Sequence, residues 1–376
     1  MNNKLTIPVI LAAMMFFAVV IRGPFGPGEA RVWFAIYFEI ALAMSLAAVI
    51  WHYNPWIASF LIMVTVSMFW PYHGKAGYFA GRAVFNGCAW YLFIMMFFNT
   101  SNLNMLYKTM RIITYFHVFV AAVQAFGVGG ILQRLSHSVG TIVDGVAVTT
   151  PVGLMGNPLE LAALISFCIP AFLVLKGRWI LLIAIPVIGL LITKQFLGFV
   201  ALGSGIVFYL AAAHRMYWPI IPIVIAAILW SKYIDAPGVN LRLEIWKKAI
   251  LVWKRHWVTG FGIGNWKAVM LFNPQEPLRA VASDGTGWFT THNEFLQMLF
   301  ELGIGSAIIF IGYAVDVARK MTRKAVIPLT ALVMITVHCV VSFPFHIAPT
   351  AMIAVTWMAV LQIVINEVQT RNVISN

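Results

Sequence analysis

The feature that most constrains the fold is the recurrence of apolar runs of roughly 18 to 22 residues, each long enough to cross a hydrocarbon core of about 30 Å as a helix. They fall near 5–22, 32–52, 55–72, 79–98, 111–130, 156–175, 178–193, 196–213, 217–235, 294–315, 325–345 and 347–366. A chain that is 61% hydrophobic and only 10% charged offers more apolar surface than a soluble fold can bury, so lipid is its solvent. Within lipid each backbone amide must be satisfied inside its own segment, and the runs lack the alternation of barrel strands. The expectation is an all-α membrane protein: about twelve transmembrane helices, with residues 1–376 forming a single polytopic domain. No small-residue cleavage site follows the first run, which therefore reads as a retained helix.

Orientation follows from basic residues in the short loops. With a cytoplasmic N-terminus the inner loops hold Lys108, Arg111, Lys176, Arg178, Arg319 and Lys324 among others, outnumbering Arg22, Arg31, Lys75, Arg82, Arg134 and Lys194 outside. Both termini are then cytoplasmic. The loop of residues 236–291 falls on the outer side despite carrying Arg242, Lys247, Lys248, Lys254, Arg255, Lys267 and Arg279. Long loops translocate regardless of charge, but this excess calls for an anionic partner. The net charge of +13 is explained on the inner face by anionic lipid. Nucleic acid is excluded as a partner, since the sequence contains no soluble domain to hold it.

The inner connections are short and contain neither a glycine-rich phosphate loop nor an acidic metal cluster. An activated donor would have to arrive by another route, such as a lipid carrier. Cys88, Cys168 and Cys339 lie in separate apolar runs without pair or metal spacing and read as packing residues. No metal site and no cofactor are expected.

Inside the large outer loop, residues 241–257 mix apolar, tryptophan and basic side chains in a helix-compatible pattern, as an amphipathic helix lying among lipid headgroups would. Gly260-Phe261-Gly262-Ile263-Gly264-Asn265 follows, a turn-rich stretch through which backbone amides can approach a ligand. Where the loop re-enters the membrane stands Thr291-His292-Asn293-Glu294. A histidine at that place can exchange protons near neutral pH, although capping or a bond to loop backbone would explain it as well.

Several segments together resemble the O-antigen ligase and polymerase superfamily. Gly156-Asn157-Pro158 is similar to its helix-opening motif, and Arg242 with Trp246, then Gly260 to Asn265, resemble its Arg-x-x-x-Trp and glycine segments. His292-Asn293, Leu296-Gln297 and Glu301-Leu302-Gly303 resemble its His-Asn motif, and Ser342-Phe343-Pro344-Phe345-His346 its penultimate-helix ending. The resemblance implies a metal-independent glycosyltransferase on the outer face of a bacterial inner membrane. Such an enzyme passes a glycan from polyprenyl pyrophosphate to an acceptor hydroxyl, and the motifs leave the acceptor open among lipid A core, a second lipid-linked glycan, a protein hydroxyl and an exopolysaccharide end. Carried over, His292 is the catalytic base and Arg242 grips the pyrophosphate; Lys194, Arg279 and Asn293 are further substrate-binding candidates, Arg279 ranked ahead of Lys267 for its bidentate geometry.

The chemistry agrees: a base within reach helps a sugar hydroxyl attack, and cations stabilise charge on departing pyrophosphate. Lys194 stands where the family has arginine, keeping the charge but not the bidentate fork. Glu160 and Glu294, at helix starts, read as favourable to the helix dipole. Glu39 and Glu301 lie deeper and are functional candidates by default, with Glu301 also able to bond a neighbouring helix. His338 and His346 read as packed or hydrogen-bonded. A polymerase of the same superfamily is the close alternative. A flippase of a lipid-linked anionic substrate is the distant one, and it would call for repeated halves with interrupted helices, which the sequence does not display.

Overall fold

The computed structural model describes residues 42–68, 74–126, 140–143, 146–149, 151–214, 237–270 and 290–375. In chain order these give α1 (Leu42–Trp51), α2 (Pro55–Ser67), α3 (Gly74–Phe97) and α4 (Leu103–Ala125), then a hairpin of β1 (Gly140–Val143) and β2 (Val146–Thr149). Next come α5 (Pro158–Cys168), α6 (Ala184–Thr193), α7 (Phe196–His214), α8 (Pro237–Trp253) and α9 (Trp266–Met270). The last four are α10 (Glu294–Leu302), α11 (Ile304–Arg319), α12 (Val326–Val341) and α13 (Ala348–Ser375). Among the described residues four stretches are long and apolar enough to cross a membrane: Ala80–Phe97, Phe196–His214, Arg323–Val341 and Ala348–Arg371. The runs expected at 5–22 and 217–235, most of that at 32–52, and Glu39 lie outside the described residues.

Several boundaries depart from the hydropathy runs for local reasons. The run at 294–315 is two helices, because Gly303 at φ 71° breaks it between α10 and α11. The run at 156–175 leaves α-geometry at Ile169–Phe172, a 3₁₀ turn in which Pro170 has no amide hydrogen to donate. The run at 178–193 opens as a 3₁₀ segment, Gly177–Ile183, before α6. The hairpin was not in the sequence reading, although Asp144-Gly145 between β-branched residues is a hairpin signal and the register pairs Val143 with Val146.

The described residues fall into two compact units. One contains residues 1–97, 241–291 and 295–319. Here α2 is opened by Asn54, whose Oδ1 accepts from the amides of Trp56 and Ile57 at 3.1 Å each, with Pro55 at the first helical position. α2 packs on α11, where Gly312 lies so close to the Trp56 ring that a Cβ would meet it at 2.3 Å. One stripe of α8 (Ile245, Ala249, Val252) joins a core with Phe261, Trp266, Leu296 and Phe300. Leu243, Ile250 and Leu251 on the same helix stay exposed.

The other unit contains residues 98–240, 292–294 and 320–376. Small residues let its helices approach: Gly205 of α7 sits against Met334 and Thr330 of α12, and Gly189 of α6 against Val118 and Ile165. Buried polar groups find partners across the helices. His338 meets the Ser166 hydroxyl at 3.0 Å, and Trp357 Nε1 donates to the Phe167 carbonyl at 2.8 Å. Gln124 takes the amides of Val152 and Gly153 and donates to the Gly153 carbonyl, fixing the chain that leads into α5. His338 and Gln124 are thus buried polar groups that tie neighbouring segments together.

Candidate active site

The glycine segment and the helix break are built against each other. A Cβ on Gly303 would lie 2.1 Å from the Val258 carbonyl oxygen, and one on Gly260 (φ 68°) 2.4 Å from the Glu301 carbonyl oxygen. The obstructing atoms are backbone, so only glycine fits at either place. The close approach is sealed by main-chain bonds: Phe261 N to Phe300 O at 3.0 Å, Gly262 N to Glu301 O at 2.8 Å, and Ile304 N to Trp257 O at 2.9 Å. The first two satisfy carbonyls that the end of α10 leaves without helical partners.

From this clamp a buried polar chain runs through the motif residues. Glu301, 4% exposed, accepts from the Gly264 amide at 2.9 Å through Oε2 and from Gln297 Nε2 at 2.8 Å through Oε1. Gln297 Oε1 accepts the Thr291 amide at 2.9 Å, and the Thr291 carbonyl accepts from Trp246 Nε1 at 2.8 Å. The residue before His292 is thus held at both its amide and its carbonyl. Of the two readings of Glu301, the structure supports the bond to neighbouring backbone. Arg242 lies one turn before Trp246 on α8, half-buried, with its Nε–H buried and donating no hydrogen bond. Burial pushes its pKa below the usual guanidinium range. A partly desolvated guanidinium with an unmade bond is suited to a charge-assisted partner such as phosphate.

Among the described residues only two non-glycine positions have left-handed backbone: His292 at φ 52° and Lys194 at φ 54°. Both are residues that the sequence nominated. Lys194 ends α6 at the exposed turn into α7, its amide bonded to the Leu191 carbonyl at 3.2 Å. A β-substituted residue in that region costs on the order of 1–3 kcal/mol and persists where its surroundings over-determine it. Asn293 is half-buried between His292 and the start of α10. Arg279 lies outside the described residues.

The second unit also contains a cluster that the sequence reading dispersed. Glu294, 2% exposed, pairs through Oε1 with His346 Nδ1 at 3.1 Å, the imidazole itself being about a third exposed. The ring of Phe343 stands edge-on to both histidines, 4.9 Å from His292 and 6.4 Å from His346 between centroids. Glu160, also 2% exposed, faces Glu294 and His346. Asn157 caps α5 by accepting the Leu159 amide at 2.8 Å, but the Glu160 carboxylate does not reach back to close the capping box. Neither of its oxygens makes a hydrogen bond, and the nearby Ser342 hydroxyl closes none of ordinary geometry. The sequence had a signal for this cluster: the drawn topology puts the starts of the sixth and tenth spans and the 345–347 turn on one face.

Helices of membrane-spanning length, together with buried ionisable side chains at Glu160, Glu294 and Glu301, define a membrane protein with a buried polar site. Residues 161–311, about two-fifths of the chain, match the model of the O-antigen ligase family, so this part of the chain is similar to that family. That family implies a ligase enzyme of the glycosyltransferase kind, working with lipid-linked glycans and their acceptors. The matched segment holds Lys194, Arg242, Arg279, His292 and Asn293. No curated protein matches the chain.

Proposed function

We propose that the chain is a multi-pass glycosyltransferase of the bacterial inner membrane that moves a glycan from polyprenyl pyrophosphate to an acceptor hydroxyl on the outer face. The observation that carries this reading is the backbone at His292: a left-handed residue directly after Thr291, whose amide and carbonyl are both fixed by motif side chains. Strain held in place by its surroundings is a mark of a working residue. In this reading the chain has about twelve spans, both termini cytoplasmic, and residues 236–291 form a loop on the outer side, with α8 lying among headgroups.

His292 accepts the proton of the acceptor hydroxyl as its oxygen attacks the anomeric carbon, and the bond to pyrophosphate breaks with inversion. Arg242, Lys194 and Arg279 take the charge that develops on the leaving diphosphate, and Asn293 contacts the sugar. The lysine at 194 supplies a point charge where arginine would supply a fork. The reaction needs neither a metal nor a nucleotide.

The test is transfer in detergent by purified protein from an undecaprenyl-pyrophosphate glycan, with lipid A core, a second lipid-linked glycan and a free oligosaccharide offered in parallel. Product on lipid A core defines a ligase, and product on the second lipid-linked glycan defines a polymerase. Movement of lipid-linked substrate across vesicles that survives alanine at both His292 and Arg242, with no product on any acceptor, would contradict the proposal in favour of a flippase.

A further inference from the structure

His292 must be kept in a conformation that its own backbone resists, and within its unit the side chain two residues later is anchored. Glu294 and His346 make a pair at 3.1 Å between the start of α10 and the 3₁₀ turn Pro344–His346. Phe343, one residue before that turn, puts its ring against both imidazoles. The turn is itself fixed from the far side, because the Thr350 hydroxyl of α13 donates to the Pro344 carbonyl. Pulling His292 out of place therefore strains the contact of buried Glu294 with His346 and separates an aromatic contact. A pair with one partner removed leaves an uncompensated buried charge, which makes such a clasp stiff.

We propose that the Glu294–His346 pair is a positioning clasp for His292, with Glu160 as a protonated carboxyl packed behind it. This rests on the glycosyl-transfer reading only for the consequence on rate; the clasp itself is a statement about the 290–296 segment. The charge count supports the role of Glu160. Glu160 and Glu294 are each 2% exposed and face one imidazole. Two ionised carboxylates buried side by side would concentrate negative charge in one apolar place, whereas a neutral Glu160 avoids it. Neither Glu160 oxygen nor the Ser342 hydroxyl makes a hydrogen bond, which places the neutral member at Glu160 and the paired member at Glu294.

The clasp is tested by hydrogen–deuterium exchange of the full-length protein in detergent, followed over the peptide covering 290–296, with transfer kinetics measured in parallel. Glu294→Gln keeps the side-chain shape and removes the charge; His346→Gln removes the partner. Each is expected to raise exchange of that peptide at least tenfold, leave the α7 and α12 peptides as in wild type, and lower kcat roughly 10- to 100-fold with the donor KM within twofold. The double variant is expected to match the worse single one, and Glu294→Asp to recover part of the protection. Glu160→Gln, a neutral isostere of the protonated acid, is expected to change exchange by less than a third of the Glu294→Gln effect. Wild-type exchange in both Glu294→Gln and His346→Gln, or effects that add in the double variant, would overturn the clasp. An effect of Glu160→Gln equal to that of Glu294→Gln would overturn the charge assignment. Exchange is read without turnover, so a clasp that opens as expected in a protein that transfers no glycan would count against the glycosyltransferase reading alone.

Discussion

Two buried polar groups, one in each unit, are built on opposite terms. In the chain from Gly264 through Glu301, Gln297 and Thr291 to Trp246, both carboxylate oxygens of Glu301 and both polar ends of Gln297 are bonded. In the cluster of Glu160, Glu294 and His346 only one carboxylate is paired, and Glu160 and Ser342 contribute polar atoms with no hydrogen bond. A fully satisfied network makes a rigid scaffold; a partly satisfied one holds groups whose charge state can change. The comparison assigns the first to holding the loop and the second to serving the histidine.

The assignment is broken or sharpened by substitution, beginning with the scaffold. Gly303→Ala sets a Cβ against the Val258 carbonyl at a left-handed residue, and it is expected to cost roughly 3 kcal/mol or more and to abolish recovery of monodisperse protein. Wild-type yield and melting temperature would show that the clamp yields. Glu301→Ala strands the Gly264 amide and Gln297, with an expected loss of about 2–3 kcal/mol read by thermal melting in detergent. Trp246→Phe removes a single bond to the Thr291 carbonyl and is expected to cost about 1 kcal/mol, with faster exchange at 290–296 as the sharper readout. The smallest stability effect is expected for Arg242→Lys: a melting temperature near wild type, with donor KM raised about tenfold as the bidentate grip is lost. A destabilised Arg242→Lys protein with unchanged KM would make Arg242 part of the scaffold.

Much of the scaffold was legible in the sequence because its signals are local. Asn157-Pro158 opens α5 as the motif reads, and hydropathy locates α7, α12 and α13, since the length of an apolar run alone defines a span. The break at Gly303 was hidden, since hydropathy does not register the left-handed residue that divides α10 from α11. His292 and Lys194 were nominated by residue type and place; their shared left-handed backbone is a tertiary property that no spacing conveys. The cluster at Glu160, Glu294 and His346 was missed for a different reason. Each residue has an adequate local explanation, a dipole or a packing contact, and only their meeting in space makes those explanations insufficient.

The central claim is that His292 is the base, and single-turnover transfer by the His292→Ala protein, with and without added imidazole, tests it most directly. We expect a rate about 10²- to 10⁴-fold below wild type, an unchanged melting temperature, and partial recovery as free imidazole takes the vacated place. Transfer by His292→Ala at the wild-type rate, without imidazole, would contradict the claim.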